Sequence, residues 1–174
     1  MVPGDGLARV AADYRDPLRG IIHAFKYERR RSLAAPLAHL MAVAAGEWLD
    51  DAACVVPVPL HPWKRLTRGF NQAADLAAQL GPPVVHALWR ARLTPAQVGL
   101  PAAQRQHNVR GAFVASPLVR AGRRAALISG RAVVLVDDVR TTGATLHACA
   151  EALTMMGAAE VRSLTLAQAP APES

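Results

Sequence analysis

At 174 residues the chain is about one domain long, enough to bury roughly two thirds of its unfolded surface without disulfides or metal. With 52% hydrophobic and 19% charged residues it is unlike a disordered chain. No apolar run approaches the ~18 residues of a membrane span, and the N-terminus lacks the apolar centre of a secretory signal.

The formal charge of +7 comes from 20 Lys+Arg against 13 Asp+Glu, and Lys26 and Lys64 are the only lysines. Such a balance suits anionic partners, phosphates or nucleic acid, although a GC-rich genome would produce the same Arg and Ala excess. Cys54 and Cys149 lie in apolar contexts with no second ligand at metal spacing. Buried free thiols and no zinc are expected, in a cytoplasmic protein without membrane insertion.

In chain order, Asp16-Pro17 reads as the cap and first position of a helix that places Leu18, Ile21, Ile22 and Phe25 on one face. Ser32 is expected to cap a second helix with the stripe Leu33, Leu37, Leu40, Met41, Ala44 and Trp48, Pro36 being tolerated in its first turn. Between them, Arg29-Arg30-Arg31 is either a solvated basic turn or a nucleic-acid contact. Phe25 and Trp48 are expected in the core.

After residue 50, short apolar runs alternate with helical patterns, the sign of an α/β sheet. Cys54 to Val58 and Ala132 to Val136 are nearly continuous β-branched stretches, expected as central strands covered on both faces. Asn71 to Leu80 reads as a helix stopped by Gly81-Pro82-Pro83, and Val84 to Leu88 as a strand. Residues 90–111 lack periodicity and read as a long polar loop, closed by a short strand at Ala112 to Ala115. Leu146, Cys149, Ala150 and Leu153 mark a helix ending at Gly157, and Val161, Leu164 and Leu166 a last strand. The organisation expected is an N-terminal helical segment over 1–50, an α/β core over 51–168 and a disordered tail over 169–174.

The segment that carries most chemistry is Val133-Val134-Leu135-Val136-Asp137-Asp138-Val139-Arg140-Thr141-Thr142-Gly143-Ala144-Thr145, read as buried strand, polar loop and helix. Ligands of open parallel sheets bind at the carboxyl ends of strands. Thr141, Thr142, Gly143 and Ala144 can wrap backbone N–H groups around a phosphate, with the hydroxyls of Thr141, Thr142 and Thr145 as further donors. Asp137 and Asp138 are placed to accept bonds from the vicinal hydroxyls of a sugar; the alternative makes them a strand terminus and turn former. The loop has no Walker A lysine and the chain no Gly-x-Gly-x-x-Gly, which counts against nucleotide triphosphatase and Rossmann readings.

This block resembles the phosphoribosyl pyrophosphate (PRPP) signature of the type I phosphoribosyltransferases. The resemblance implies that Asp137 and Asp138 hold the ribose hydroxyls and that Arg140, Thr141, Thr142, Gly143, Ala144 and Thr145 hold the 5′-phosphate. Two further segments are similar to the ComF (competence protein F) family. One is Val56-Pro57-Val58-Pro59-Leu60-His61-Pro62-Trp63-Lys64-Arg65 followed by Arg68-Gly69-Phe70-Asn71-Gln72; the other is Gln97-x-Gly-Leu100 with Arg105-x-x-Asn108-Val109-Arg110-Gly111-Ala112-Phe113. Phe25-Lys26-Tyr27 belongs to the same likeness, which runs from about Tyr14 to Gln168. The fold implied is α/β, a type I phosphoribosyltransferase-like parallel sheet flanked by helices with a small N-terminal helical hood.

On that reading Lys64, Arg65 and Arg68, with backbone amides near Leu60 and His61, form the pyrophosphate site, Lys64 and Arg65 joining the acidic pair as catalytic residues. A helix start with snorkelling basic chains is the alternative. Gln97, Arg105, Asn108 and Arg110 fall on the flexible loop that closes over PRPP in such enzymes. His61 and His107 are read as hydrogen-bonded residues rather than proton carriers.

The function implied is Mg²⁺-dependent phosphoribosyl transfer from PRPP to an unidentified acceptor, linked to DNA uptake or processing. The alternative is a non-catalytic sensor of PRPP or a ribonucleotide that binds DNA or a helicase-like competence partner, with Arg29 to Arg31, Arg120, Arg123 and Arg124 as DNA contacts. Many ComF-like proteins begin with a four-cysteine zinc module that this sequence does not include. A homo-oligomer is compatible with the sequence.

Overall fold

The computed structural model describes residues 7–60, 69–91, 111–117, 119 and 123–170, with the backbone alone at 123 and 124. Six strands are present among the described residues: β1 Ala8–Asp13, β2 Cys54–Pro57, β3 Leu88–Arg90, β4 Phe113–Ala115, β5 Ala132–Arg140 and β6 Glu160–Gln168. The helices are α1 Leu18–Tyr27, α2 Ala34–Ala45, α3 Gln72–Ala77, α4 Arg123–Ala126 and α5 Ala144–Met155, with 3₁₀ turns on either side of α2.

The main sheet has the order β1-β6-β5-β2 and is parallel throughout. Val84 adds a parallel bridge to Val55 on the outer side of β2, while β3 and β4 form a separate antiparallel pair. The strand expected over 84–88 is therefore split between that bridge and β3.

Strand alternation sorts the core into two layers. Val133 and Leu135 of β5 pack with Cys54 and Val56 of β2, the β3–β4 pair and Leu146, Cys149 and Leu153 of α5. Val134 and Val136 face the other way, against Ile22 and Phe25 of α1, Leu37 and Met41 of α2 and Leu76 of α3. Residues before and after position 50 thus share one apolar cluster.

β1 is an element the sequence reading lacks: Ala8–Asp13 pairs along β6 from Ala8↔Ser163 to Asp13↔Gln168. Both expected caps are corrected. Pro17 and Leu33 occupy the N-cap positions of α1 and α2, and neither helix receives a side-chain cap bond. Asn71 does cap α3, its Oδ1 accepting from the Ala73 N–H at 3.1 Å. In the α2 stripe Leu37, Met41 and Trp48 are buried, whereas Leu40 is exposed.

The helical run Arg31–Leu49 reaches 19 residues at a mean hydropathy of 1.2, so by length and composition it passes the test for a membrane span. That corrects the expectation that no such run exists. Its apolar face packs against β1, β6 and α3. The expected disordered tail lies mostly outside the described residues, and Ala169 is held by a 2.8 Å bond from its N–H to the Arg140 carbonyl.

Candidate functional site at the carboxyl end of the sheet

β5 runs farther than its apolar residues indicate. Asp137, Val139 and Arg140 pair in register with Thr165, Ala167 and Gln168 of β6, so the acidic pair and Arg140 are strand residues. The loop is correspondingly short, because α5 starts at Ala144 and takes Ala144 and Thr145 into its first turn.

Alternation along the strand sends the two carboxylates to opposite faces of the sheet. Asp138 points toward α1, where Lys26 Nζ lies 3.0 Å from its Oδ1, both side chains being 13% exposed. Asp137 is on the α5 side, where its charge helps to raise the Cys149 pKa. Asp137 Oδ1 also accepts from the Asp138 N–H at 2.9 Å. Beside Asp137, Thr165 is 1% exposed and its hydroxyl has no hydrogen-bond partner. The two carboxylates expected to meet a sugar thus leave β5 on opposite faces, Asp138 positioned by Lys26 and Asp137 bonded to the adjacent backbone.

The turn from β5 to α5 has the features of an anion cradle. Gly143 is the N-cap of α5 at φ +76°, a backbone shape that favours glycine. A Cβ there would stand 3.2 Å from Arg140 Nε, so the guanidinium lies directly over this glycine. The Thr142 hydroxyl accepts from the Ala144 N–H at 3.4 Å. Gln168 Nε2 donates to the Thr141 carbonyl at 3.1 Å, pinning the loop to the end of β6. Among the described residues, the N–H groups of Thr141, Thr142 and Gly143 donate to no protein acceptor. Free amides beside an arginine at the start of a 12-residue helix form a site suited to phosphate.

The neighbouring strand β2 ends opposite Val136, four residues before the end of β5 at Arg140. The Val58 N–H donates to the Val136 carbonyl at 2.9 Å, and Asn71 Nδ2 donates to the Val58 carbonyl at 3.0 Å. Both ends of the 59–70 segment are thereby tied beside β5. Leu60 is half-buried there. His61, Lys64, Arg65 and Arg68 lie outside the described residues, as do Gln97, Arg105, Asn108, Arg110 and Arg120.

Along α1 a cavity of about 610 Å³ is lined by Tyr14, Asp16, Arg19, Gly20, His23 and Tyr27, with the His23 and Tyr27 rings 4.7 Å apart. Burial pushes the Cys54 thiol up to about 11. It raises the Cys149 thiol well above its ordinary range, with the Asp137 charge as a smaller contribution. Burial thus favours the protonated thiol at both positions. Lys26 and Gln168 are the contacts that sequence reasoning did not assign to the site. The signals for Lys26 were that lysine is rare in this chain and that Phe25-Lys26-Tyr27 belongs to the ComF likeness.

The fold and this loop define a phosphoribosyl transferase type of domain, and the phosphoribosyl transferase domain family matches residues 66–174. The chain is 35% identical to DNA utilization protein YhgH of Escherichia coli K12, over 87% of this chain and 67% of that protein. It is 32% identical to competence protein F of Haemophilus influenzae, over 92% of this chain and 72% of that one. The chain belongs to the competence protein F family of phosphoribosyl transferase-domain proteins. A solved glutamine PRPP amidotransferase from B. subtilis, complexed with ADP and GMP, aligns at a TM-score of 0.49 and 22% identity, covering 81% of this chain and 30% of that one.

Proposed function

We propose that the chain binds a phosphoribosyl donor of the PRPP class at the carboxyl ends of β5 and β2 and transfers its ribose 5-phosphate to a nitrogen acceptor. The observation that carries this reading is the β5–α5 turn, where free amides, the Thr142 hydroxyl and Arg140 surround Gly143. That turn takes the 5′-phosphate. Asp138, steadied by Lys26, accepts from a ribose hydroxyl, and Lys64 and Arg65 receive the diphosphate. The C1′–O bond breaks as the N–C1′ bond forms, diphosphate departs and the acceptor nitrogen loses a proton. Positioning and fixed charge carry the step.

Magnesium fits this donor set, because it takes one or two carboxylates together with substrate phosphates. It would neutralise charge on the diphosphate, with Asp138 or Asp137 as the protein's contribution. The cavity along α1, with two aromatic rings tilted by 40° to each other, one carboxylate and one guanidinium, suits a planar, hydrogen-bonding acceptor. The two buried thiols support a cytoplasmic setting.

Calorimetric titration with PRPP, with and without Mg²⁺, tests the reading. Mg²⁺-dependent binding is expected, lost in the Asp137→Asn/Asp138→Asn double variant and weakened about tenfold in Thr142→Val. No binding by folded wild-type protein would overturn it. The charge of +7 and the names of the relatives favour a second reading, a PRPP- or nucleotide-sensing adaptor on DNA. For that reading, DNA affinity should fall steeply with salt and with loss of the Arg29 to Arg31 charges.

A further inference from the structure

The three consecutive arginines after α1 are not equivalent. Arg30 pairs with Glu28 at 3.0 Å, and Arg31 holds Asp75 with two bonds of 2.7 and 2.8 Å while stacking over Phe70. Arg29 has no acidic partner among the described residues. It is also the one non-glycine residue with positive φ among them, at +55°. That backbone shape is costly for an arginine and is typically retained where the side chain's position matters.

The guanidinium itself lies beside Gly69. A Cβ on Gly69 would lie 3.6 Å from Arg29 Nη2, so the group rests on the open face of that glycine. Gly69 stands two residues before Asn71, whose side chain ties this end of the segment to Val58 beside β5. The ring of Phe70 packs edge-on against Phe25 at 5.7 Å, next to Lys26 and its Asp138 partner. The end of α1 thus places Lys26 against the Asp138 carboxylate of β5, and the residue after its C-cap places Arg29 against Gly69, with no acidic partner among the described residues. An exposed guanidinium that rests against a glycine and has no acidic partner among the described residues is suited to bidentate contact with phosphate oxygens.

We propose that Arg29 is a phosphate-binding residue of this site, gripping the diphosphate of the donor from the α1 side. The proposal rests on the donor-site reading above and adds a residue from outside the strand-end loops to it.

Titration of the full chain with inorganic pyrophosphate, PRPP and ribose 5-phosphate separates the two. Arg29→Gly removes the guanidinium and relieves the backbone, so it should keep or raise the melting temperature. It should weaken pyrophosphate and PRPP about tenfold and leave ribose 5-phosphate unchanged. Arg15→Ala, an equal change in net charge at a residue paired with Asp13, should alter none of these affinities.

Pyrophosphate affinity unaffected by Arg29→Gly, with ribose 5-phosphate still bound, would overturn the Arg29 proposal alone. A loss confined to single-stranded DNA would also overturn it and assign Arg29 to a nucleic-acid surface. Failure of wild type to bind any of the three phosphates would overturn the donor site and this proposal together.

Discussion

The two ends of the parallel sheet both carry charge, and they use it differently. At the amino end Arg162, only 11% exposed, pairs with Asp51 and Glu160 and donates to the Trp48 carbonyl at 3.3 Å. Arg9 stacks over the same indole at 4.2 Å and donates to the Ala45 carbonyl. All three Arg162 nitrogens donate to protein acceptors, as expected of a group whose work is to hold β1, β6 and the end of α2 together. At the carboxyl end the Lys26–Asp138 pair and the Asn71 and Gln168 bonds secure the frame, while the N–H groups of Thr141, Thr142 and Gly143 have no acceptor among the described residues. One end is electrostatically complete; the other is fixed in shape but open in hydrogen bonding.

The largest expected effect comes from attacking the closed end. Trp48→Ala removes the surface on which Arg9 and Arg162 rest and should cost about 3–5 kcal/mol in denaturant unfolding. Phosphate affinity of the folded fraction should not change, and a parallel loss of both would erase the distinction between the ends. Next, Lys26→Met leaves Asp138 nearly buried and unpaired, a loss of about 3 kcal/mol. Adding Asp138→Asn should recover most of it, and a double-mutant cycle measures the coupling.

Gly143→Ala forces a side chain into positive φ and toward Arg140, costing about 1–2 kcal/mol and weakening ribose 5-phosphate binding. Unchanged affinity with lowered stability would make the glycine purely structural.

The smallest effect concerns acid. The Arg162 guanidinium holds the Asp51 carboxyl below its ordinary 3.8. A carboxyl with a lowered folded pKa contributes stability that is complete above the unfolded value and lost as pH falls through the folded one. Asp51→Asn should therefore flatten the stability profile below about pH 4 and leave neutral-pH ligand binding alone.

Much of this contrast was written in the sequence, but unevenly. β2 and the first half of β5 are runs of β-branched residues buried on both faces, and such runs signal strands by composition alone. Thr-Thr-Gly before an apolar helix likewise marked the turn at residue 143. β1 has only Val10 as a β-branched residue among Ala, Arg and Asp, and its conformation comes from pairing with β6. The second half of β5 is Asp-Asp-Val-Arg, polar enough to read as loop until its register with Thr165, Ala167 and Gln168 is known.

That register also explains why the acidic pair was legible as a motif but not as a geometry. Two adjacent carboxylates in a strand must diverge, whereas in a loop they need not. The Lys26–Asp138 contact joins residues on different elements from opposite ends of the chain, and no local pattern announces it. The caps assigned to Asp16 and Ser32 failed for a related reason. Tertiary packing sets where α1 and α2 begin, and a good capping residue nearby does not.

The most direct test is amide chemical-shift mapping during titration with ribose 5-phosphate. The account predicts saturable shifts at the N–H groups of Thr141, Thr142, Gly143 and Ala144, with Asp51, Arg162 and their neighbours unmoved. Shifts clustered around Arg9, Asp51 and Arg162, or none in the β5–α5 turn at saturating ligand, would contradict it.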